Sequence, residues 1–339
     1  MSEKLIIVGG LPEPIGGVTT FLRRLLFSQS DDIDCFVDIY PGTKKQLPKT
    51  IADKVIYLQG KLKFLAWYNR RRGDESVYLF NFSGVKSLLI FAFMHKAKTH
   101  RWALVLHHGN LALPGSSLDF IIKRSLKKFD TVYALSDNQE SFFKSLDFEN
   151  IIITKSYCPP VLNPEVTVPH AFSELRQNYK RLFIMSGYPK DIYHFEHFIE
   201  FIKTRGSSSD GLAIFIYGPG ELREKLKDMM HTHDFLHVFD SQSEDLFNQC
   251  LAQSDCLLRL NSVDSFGIAV ADAITLDVPV VASDVCERFP GAVIVSDFDY
   301  DTIDLAIEQA LATKQSKKLA VSKRFYFDLE PLISSDAKN

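Results

Sequence analysis

The chain has 339 residues, of which 46% are hydrophobic and 24% are charged. This length is typical of two domains that each bury a core, and the composition excludes a disordered or fibrous chain. No apolar run approaches the roughly 20 residues that a membrane-spanning helix needs. Five cysteines lack the spacing of a metal site, and no secretory signal precedes the first predicted strand, so we expect a cytoplasmic protein.

The net charge of −3 hides a division between the halves of the chain. Residues 1–170 carry 22 Lys and Arg against 16 Asp and Glu. From the totals of 39 Lys and Arg and 42 Asp and Glu, 17 basic and 26 acidic residues remain for the rest of the chain. Basic residues accompany Phe64, Trp67 and Tyr68 in 61–72 and recur in 121–129. Such a surface favours either docking on an anionic membrane or a solvated helix with its apolar side in the core. Nucleic acid is not favoured, because no aromatic and basic recognition motif accompanies the charge.

The chain opens with an apolar strand, residues 4–9, followed by a glycine loop and a helix. Gly16 and Gly17 let the backbone approach a ligand closely, and the start of the helix favours a phosphate; a plain turn is the alternative. Apolar runs at 35–40, 54–59 and 76–82 alternate with helical stretches, and 87–94 is expected to be a buried helix. This alternation predicts a parallel, doubly wound α/β sheet.

The next strand, 103–106, ends at two histidines. Ligands of open α/β sheets bind beyond the carboxyl ends of the strands, so His107 or His108 is a candidate site residue. The alternative is that backbone carbonyls satisfy both rings. A strand and a helix follow at 131–146, a last strand begins at 151, and prolines mark 159–170 as a linker between two domains.

The second half restarts with strand 181–187, which is followed by Lys190. A strand, a Gly218-x-Gly220 turn and a helix occupy 212–229, and a further strand covers 235–240. A ligand with two or more negative charges, bound in a cleft, would need compensation by cations. Lys190 and Arg259 are candidates for this role.

The most informative stretch is 264–284, where a turn follows a buried strand and a helix of about three turns starts near Gly267. Backbone N–H groups of Ser265, Phe266 and Gly267 at a helix start predict an anion site. Asp264 before the turn and Asp272 within the helix could accept hydroxyl hydrogen bonds on either side of a bound phosphate. The alternative is an N-capping Asp264 and a solvent-facing Asp272.

This acid-x7-acid spacing resembles the E-x-F-G-x4-E signature of the retaining GT-B glycosyltransferases of family 4, also called glycosyl transferases group 1. The glycine loop, the strand-end histidine, the proline linker and the Gly-x-Gly turn occur in the order of that family, over about residues 5–335. The resemblance implies two Rossmann-like doubly wound domains that face each other across a cleft. Residues 1–165 would bind the acceptor, with a helix at about 324–339 packing back on them, and 166–323 would bind the nucleotide sugar.

The resemblance also implies roles for individual residues. His108 would contact the transferred sugar and act in catalysis with Asp264. Tyr188 and Tyr193 stand where the family has its diphosphate-binding Arg and Lys, so Lys190 or Arg259 would replace those cations. The donor-binding residues would be Gly16, Gly17, Lys190, Gly218, Arg259, Ser265, Phe266, Gly267 and Asp272.

The implied reaction moves a sugar from a nucleoside diphosphate donor to an acceptor hydroxyl, without a metal or a further cofactor. A UDP-sugar is favoured over a GDP-sugar, and the acceptor is expected to be a glycan or lipid-linked glycan of surface-polysaccharide synthesis at the inner membrane face. Two alternatives stay open. One is a non-catalytic GT-B subunit of a transferase complex, and the other is a GT-B nucleotide-sugar epimerase.

Overall fold

The computed structural model describes residues 3–12, 17–40, 47, 49–58, 60–71, 73–108, 111–264, 266–313 and 322–333. The chain forms two compact units. The first runs to Cys158 and includes the segment from Ser322 onward, and the second runs from Pro159 to Val321. The change from one unit to the other therefore falls at the first residue of the proline-rich stretch.

Thirteen strands are formed in the described residues. They are β1 (Lys4–Gly9), β2 (Cys35–Asp38), β3 (Val55–Tyr57), β4 (Ser76–Phe82), β5 (His100–Leu106), β6 (Thr131–Ala134), β7 (Ile151–Ile153), β8 (Arg181–Gly187), β9 (Asp210–Ile216), β10 (Leu236–Asp240), β11 (Cys256–Arg259), β12 (Val280–Ser283) and β13 (Val293–Val295). The strands predicted from apolar runs are confirmed to within a few residues at their ends, and β13 was not predicted.

The described residues also contain twelve α-helices. They are α1 (Gly17–Ser28), α2 (Lys49–Ala52), α3 (Lys61–Asn69), α4 (Leu118–Leu126), α5 (Asp137–Lys144), α6 (His170–Asn178), α7 (Phe195–Arg205), α8 (Arg223–Thr232), α9 (Glu244–Ala252), α10 (Ile268–Thr275), α11 (Tyr300–Thr313) and α12 (Glu330–Ile333). Short 3₁₀ helices lie at Val85–Phe93, Asp191–Tyr193 and Lys323–Phe325.

Each unit is built on one parallel sheet. The first sheet has the order β3-β2-β1-β4-β5-β6-β7 and the second the order β10-β9-β8-β11-β12-β13. In both, the chain adds strands on one side of the first strand and then continues on the other side. This confirms the predicted doubly wound α/β architecture, and the point where the order reverses is where such sheets bind ligands.

An aromatic core fills one face of the first sheet. Trp102 is fully buried and packs against Tyr68, Phe80, Phe91 and Phe129. Helices α3 and α4 and the 3₁₀ helix Val85–Phe93 supply part of this core. The opposite face is covered by α1 and by the segment that follows Ser322.

This packing favours one of two sequence alternatives and corrects another expectation. Phe64 and Tyr68 of α3 are fully buried, as the alternative of a solvated helix with its apolar side in the core expected. The stretch expected as a buried helix at 87–94 is a 3₁₀ helix whose buried residues Val85, Leu88 and Phe91 follow its period of three.

The expected C-terminal helix is also corrected. Within residues 322–333 only Glu330–Ile333 is α-helical, and residues 334–339 lie outside the described residues. The segment packs on the first unit: the Phe327 ring lies 5.0 Å from that of Phe21, and the Thr154 hydroxyl donates to the carbonyl of Tyr326 at 2.9 Å. A strap with a 3₁₀ helix at Lys323–Phe325, extended residues and one helical turn at Glu330–Ile333 therefore replaces the longer helix.

Candidate functional site

The site in the second unit is organised around Asp264, which follows β11 at the reversal of strand order. Its Oδ2 accepts hydrogen bonds from Arg259 Nε at 3.0 Å and from Arg288 Nη1 at 2.8 Å. Arg259 also donates through Nη1 to the carbonyl of Ser186, at the end of the neighbouring strand β8, at 2.7 Å. One carboxylate and two guanidinium groups thus converge at the carboxyl ends of two adjacent strands.

Arg288 was not predicted from the sequence. Its side chain is only 3% exposed, and beyond Asp264 it donates to the carbonyl and hydroxyl of Ser283 at 3.0 and 3.1 Å and to Asn261 Oδ1 at 3.3 Å. These bonds fix its guanidinium on the loop after β12. The sequence did contain a signal for Arg288, because an arginine shortly after an apolar strand of an α/β unit lies at the same edge of the sheet as Asp264. The two residues are 24 positions apart in the chain, so their contact depends on the strand order.

Electrostatics keep Asp264 ionised. Burial by itself would raise the pKa of this carboxyl, but the Arg259 and Arg288 guanidinium groups outweigh burial and lower the pKa to about 2. The three side chains carry one negative and two positive charges, so together they have a net charge of +1 at neutral pH.

Gly267 sets the geometry of the turn that follows Asp264. It has φ 75°, a left-handed conformation that glycine adopts without strain, and a Cβ atom there would lie 2.6 Å from Arg288 Nη1. Helix α10 begins at the next residue, with no side-chain cap bond among the described residues. The alternative of Asp264 as an N-cap is therefore not supported. Ser265 lies outside the described residues, and the Phe266 ring packs 6.5 Å from Phe289.

Asp272 is not the solvent-facing acid that one sequence interpretation expected. Helix α10 has eight residues, fewer than the three turns expected, and Asp272 is its fifth, one turn from the start. The residue is 2% exposed, so it is not a solvent-facing acid. The proposed contact of its carboxylate with donor hydroxyls stays a prediction.

Two tyrosines lie where the family resemblance expected cations, and each carries a cation on its ring. Arg259 Cζ lies 5.2 Å from the centre of the Tyr193 ring, and Lys190 Nζ lies 5.8 Å from the centre of the Tyr188 ring. The two tyrosine rings are 6.3 Å apart. Both candidate cations are therefore kept at the end of β8, although neither occupies the expected sequence position.

The Gly218 turn packs on the same loop. Gly218 has φ 60°, and a Cβ atom on it would lie 2.5 Å from the Tyr188 ring. A Cβ atom on Gly220 would collide with the carbonyl of Pro189. Both glycines are required because the turn after β9 lies directly against the loop after β8.

A second contact ties the loop after β8 to the loop after β11. The N–H of Ser262 donates to the carbonyl of Ile192 at 2.9 Å, and His194 Nε2 lies 2.6 Å from the Ser262 hydroxyl. His194 itself has φ 52°. The loop that carries Lys190 and the loop that carries Asp264 are thus held as one surface.

In the first unit the two predicted histidines have different surroundings. His107 Nε2 lies 3.2 Å from Asn81 Oδ1, its ring packs 5.4 Å from Phe21, and burial lowers its pKa to about 3. His108 is exposed. His107 is thus half-buried against Phe21 and Asn81, whereas His108 is the more exposed of the two rings.

Gln139 positions this histidine loop and was not predicted. It is 1% exposed, and its side-chain amide donates to the carbonyls of Leu106 and His108 at 2.9 and 3.0 Å while its oxygen accepts from the N–H of Leu135 at 2.8 Å. Gly16, Gly109 and Asn110 lie outside the described residues, and Gly17 is the first residue of α1.

In the described part of the chain, no three His, Cys, Asp or Glu side chains are grouped as a metal ion would require. Across the same residues, none of the helices has the length and apolar character needed to cross a bilayer.

The model of the family glycosyl transferases group 1 matches residues 170–318. Among curated protein sequences none matches. Solved structures with the same fold include sucrose-phosphate synthase from Thermosynechococcus elongatus, with TM-score 0.62, 13% identity and coverage of 92% of this chain and 90% of that one.

Two further structures share the fold and were solved with UDP-sugars. HepE of Anabaena in complex with UDP-glucose has TM-score 0.61 and 13% identity, with 92% of this chain and 90% of that one covered. The Escherichia coli trehalose-6-phosphate structure with UDP-2-fluoro glucose has TM-score 0.58 and 11% identity, with 91% of each chain covered. The chain therefore has the GT-B fold of two Rossmann-like units, and residues 170–318 of its second unit match the glycosyl transferases group 1 family.

Proposed function

We propose that the protein is a retaining glycosyltransferase that moves a sugar from a nucleoside diphosphate donor to an acceptor hydroxyl. The favoured donor is a UDP-sugar. The observation that carries this proposal is the convergence of Arg259 and Arg288 on Asp264 at the strand-order reversal of the second unit. A net positive site at the carboxyl ends of β8 and β11 suits a diphosphate, because buried negative charge needs compensation.

Arg259 is the proposed diphosphate ligand of the two arginines. The Arg288 guanidinium donates hydrogen bonds to Asp264, Ser283 and Asn261. Arg259 uses Nε and Nη1 on Asp264 and Ser186, and its Nη2 has no hydrogen-bond partner among the described residues. Asp264 and Arg288 then orient Arg259, and Lys190 on the adjoining loop adds a second cation. The N–H groups at the start of α10 would donate to the same diphosphate.

The proposed step breaks the bond between the anomeric carbon and the donor diphosphate and forms a bond to the acceptor oxygen. The acceptor hydroxyl loses its proton to the departing diphosphate oxygen. Negative charge grows on the diphosphate in the transition state, so a fixed Arg259 stabilises that state more than the ground state. Retention of configuration follows from the family, and no metal is assigned a role.

The acceptor is proposed to be a glycan or lipid-linked glycan used in surface-polysaccharide synthesis, with the protein at the cytoplasmic face of the membrane. The basic charge of residues 1–170 supports this choice. In this proposal the first unit binds the acceptor, with His108 next to the transferred sugar, and the second unit binds the donor. Since two of the structural relatives are named for sugar phosphates, glucose 6-phosphate and fructose 6-phosphate belong in the acceptor panel.

The test begins with donor binding and continues to chemistry. Thermal shifts are measured with UDP-, GDP-, ADP- and dTDP-sugars, because a ligand that binds only the folded state raises its melting temperature. We expect a UDP-sugar to give the largest shift and Arg259→Gln to remove it, while the charge-matched control Arg205→Gln on α7 leaves it unchanged. The absence of any shift with every nucleotide sugar would refute the proposal.

Product analysis separates the transferase from its two alternatives. A transferase incubated with its donor alone slowly releases free sugar and nucleoside diphosphate. A new nucleotide sugar in the NMR spectrum would instead identify an epimerase. Tight donor binding with no turnover under any acceptor would identify a non-catalytic subunit.

A further inference from the structure

Helix α4 of the first unit has an unusual solvent face. Its buried residues Ile122, Ser125 and Leu126 form one side of the helix. On the opposite side Phe120 is 70% exposed, although an aromatic ring of this size is usually buried. Lys123, Arg124 and Lys127 stand at i+3, i+4 and i+7 from Phe120 and are all exposed, so they lie on the same side of the helix as the ring.

A second exposed phenylalanine lies beside this helix. Phe93, at the end of the 3₁₀ helix Val85–Phe93, is 80% exposed, and among the described residues Phe93 and Phe120 are the two phenylalanines with exposed side chains. Lys128 ties the two elements together, since its Nζ donates to the carbonyls of Phe91 and Met94 at 2.6 and 2.8 Å. The end of the 3₁₀ helix that carries Phe93 is thereby held beside the C-terminal end of α4.

The cations of this surface are not used inside the protein. Lys123, Arg124 and Lys127 form no ion pair with any acid of the described residues, whereas Lys144, Lys203 and Lys225 on other helices are paired with glutamates. Asp119, the one acid of α4, is half-buried and its carboxylate accepts from the N–H of Ser116 at the start of the helix. The positive charge of the surface is therefore free to act on a partner.

We propose that Phe93, Phe120, Lys123, Arg124 and Lys127 form a membrane-docking face that binds anionic phospholipid bilayers. Two exposed rings on adjoining elements, with unpaired cations on one of these elements, match an anionic bilayer, in which rings enter the headgroup boundary and cations contact lipid phosphates. The charge of this face opposes the net charge of −3 of the whole chain, so attraction to an anionic membrane is local to it. The proposal deepens the acceptor half of the proposed function, because it brings the first unit to lipid-linked substrates.

The test is flotation of the full chain with vesicles, without any nucleotide sugar. The vesicles contain phosphatidylcholine alone or phosphatidylcholine with about 30% phosphatidylglycerol, at about 0.1 M salt. We expect flotation with the anionic vesicles only, and loss of flotation at about 1 M salt. The triple variant Lys123→Gln, Arg124→Gln, Lys127→Gln should bind about a hundredfold more weakly, since each cation near an anionic surface contributes about 1 kcal/mol. Phe93→Ser with Phe120→Ser should weaken binding about tenfold.

Matched controls come from the second unit. Leu305→Ser removes an apolar side chain that is 72% exposed on α11, and Lys203→Gln, Lys225→Gln, Lys227→Gln removes the same number of charges as the triple variant. Neither control should change flotation. Equal flotation with neutral vesicles, no flotation with either kind, or an equal effect of the controls would overturn the proposal.

A further measurement tests whether the same face binds nucleic acid, which is also an anionic macromolecule. Fluorescence anisotropy with labelled RNA should show weaker binding than vesicles do; tighter RNA binding that the triple variant abolishes would assign the face to nucleic acid and overturn the proposal. Failure here is distinguishable from failure of the proposed function, because thermal shifts with UDP-sugars do not depend on vesicles. The triple variant should keep the thermal shift of the unaltered protein.

Discussion

The Arg259 guanidinium carbon lies 5.2 Å from the centre of the Tyr193 ring, and this contact joins the end of β11 to the loop after β8. The tyrosine stands near the place where the family resemblance expects a lysine. The ring supplies no charge of its own, but it attracts and orients a cation from the neighbouring strand. A cationic site is thus retained with a different residue as the source of the charge.

Replacing Tyr193 tests this relationship. Tyr193→Leu should weaken UDP binding about threefold to thirtyfold, because Arg259 loses an interaction of about 0.5–2 kcal/mol that holds its guanidinium in place. Tyr193→Phe keeps the ring and should bind UDP nearly as well as the unaltered protein. Isothermal titration calorimetry measures both. If the phenylalanine variant lost as much affinity as the leucine variant, the hydroxyl would matter and the ring contact would not.

The ionised state of Asp264 predicts a pH-dependent stability. Its pKa in the folded protein is lowered to about 2 from a value of 3.8, so its contribution to the free energy of unfolding is fully present above about pH 4 and is lost as the pH falls through about 2. The expected size is about 2 kcal/mol. Urea unfolding of the unaltered protein and of Asp264→Asn should therefore differ by about 2 kcal/mol more at pH 6 than near pH 2. A difference that stays constant over this range would show that the two arginines do not stabilise the carboxylate.

Gly267 is predicted to tolerate no side chain. Gly267→Ala places a Cβ atom 2.6 Å from Arg288 Nη1 at a residue with φ 75°, so we expect the free energy of unfolding to fall by about 2 kcal/mol and the thermal shift with UDP to shrink. Gly73→Ala is the control, because a Cβ atom there meets nothing within 4 Å. It should change stability by less than about 0.5 kcal/mol. Equal effects of the two substitutions in urea unfolding would contradict the tight packing at Gly267.

The two histidines after β5 should respond differently to substitution. His108→Ala removes an exposed ring, so we expect UDP affinity and stability to change little while donor turnover falls about tenfold to a hundredfold. His107→Ala removes the ring that packs on Phe21 and bonds to Asn81, and should lower the free energy of unfolding by about 1–3 kcal/mol. Sugar release and urea unfolding are measured for both variants. Normal turnover of His108→Ala would remove this residue from the proposed site.

Much of the fold could be predicted because its signals are local. Runs such as 4–9 and 76–82 alternate with amphipathic helices, and this alternation leads to a parallel sheet. The turns that contain Gly218 and Gly267 were also predicted, and the structure gives both glycines a left-handed φ. The strap after Ser322 was mistaken for a helix. Phe325 ends a 3₁₀ helix, and Phe327 and Leu329 pack in the extended residues after it, whereas the expectation of a helix came from the family resemblance.

The sequence by itself determined the class of fold, the order of its elements and the placement of Asp264 in a turn before a helix, because these depend on the period of apolar residues and on glycines. Only the tertiary structure showed that Arg288 joins Arg259 on this carboxylate, that Asp272 is buried, and that Phe64 and Tyr68 face the core while Phe120 faces solvent. The reason is physical: strand order brings together residues far apart in the chain, and which side of a helix is buried depends on the neighbours that it packs against.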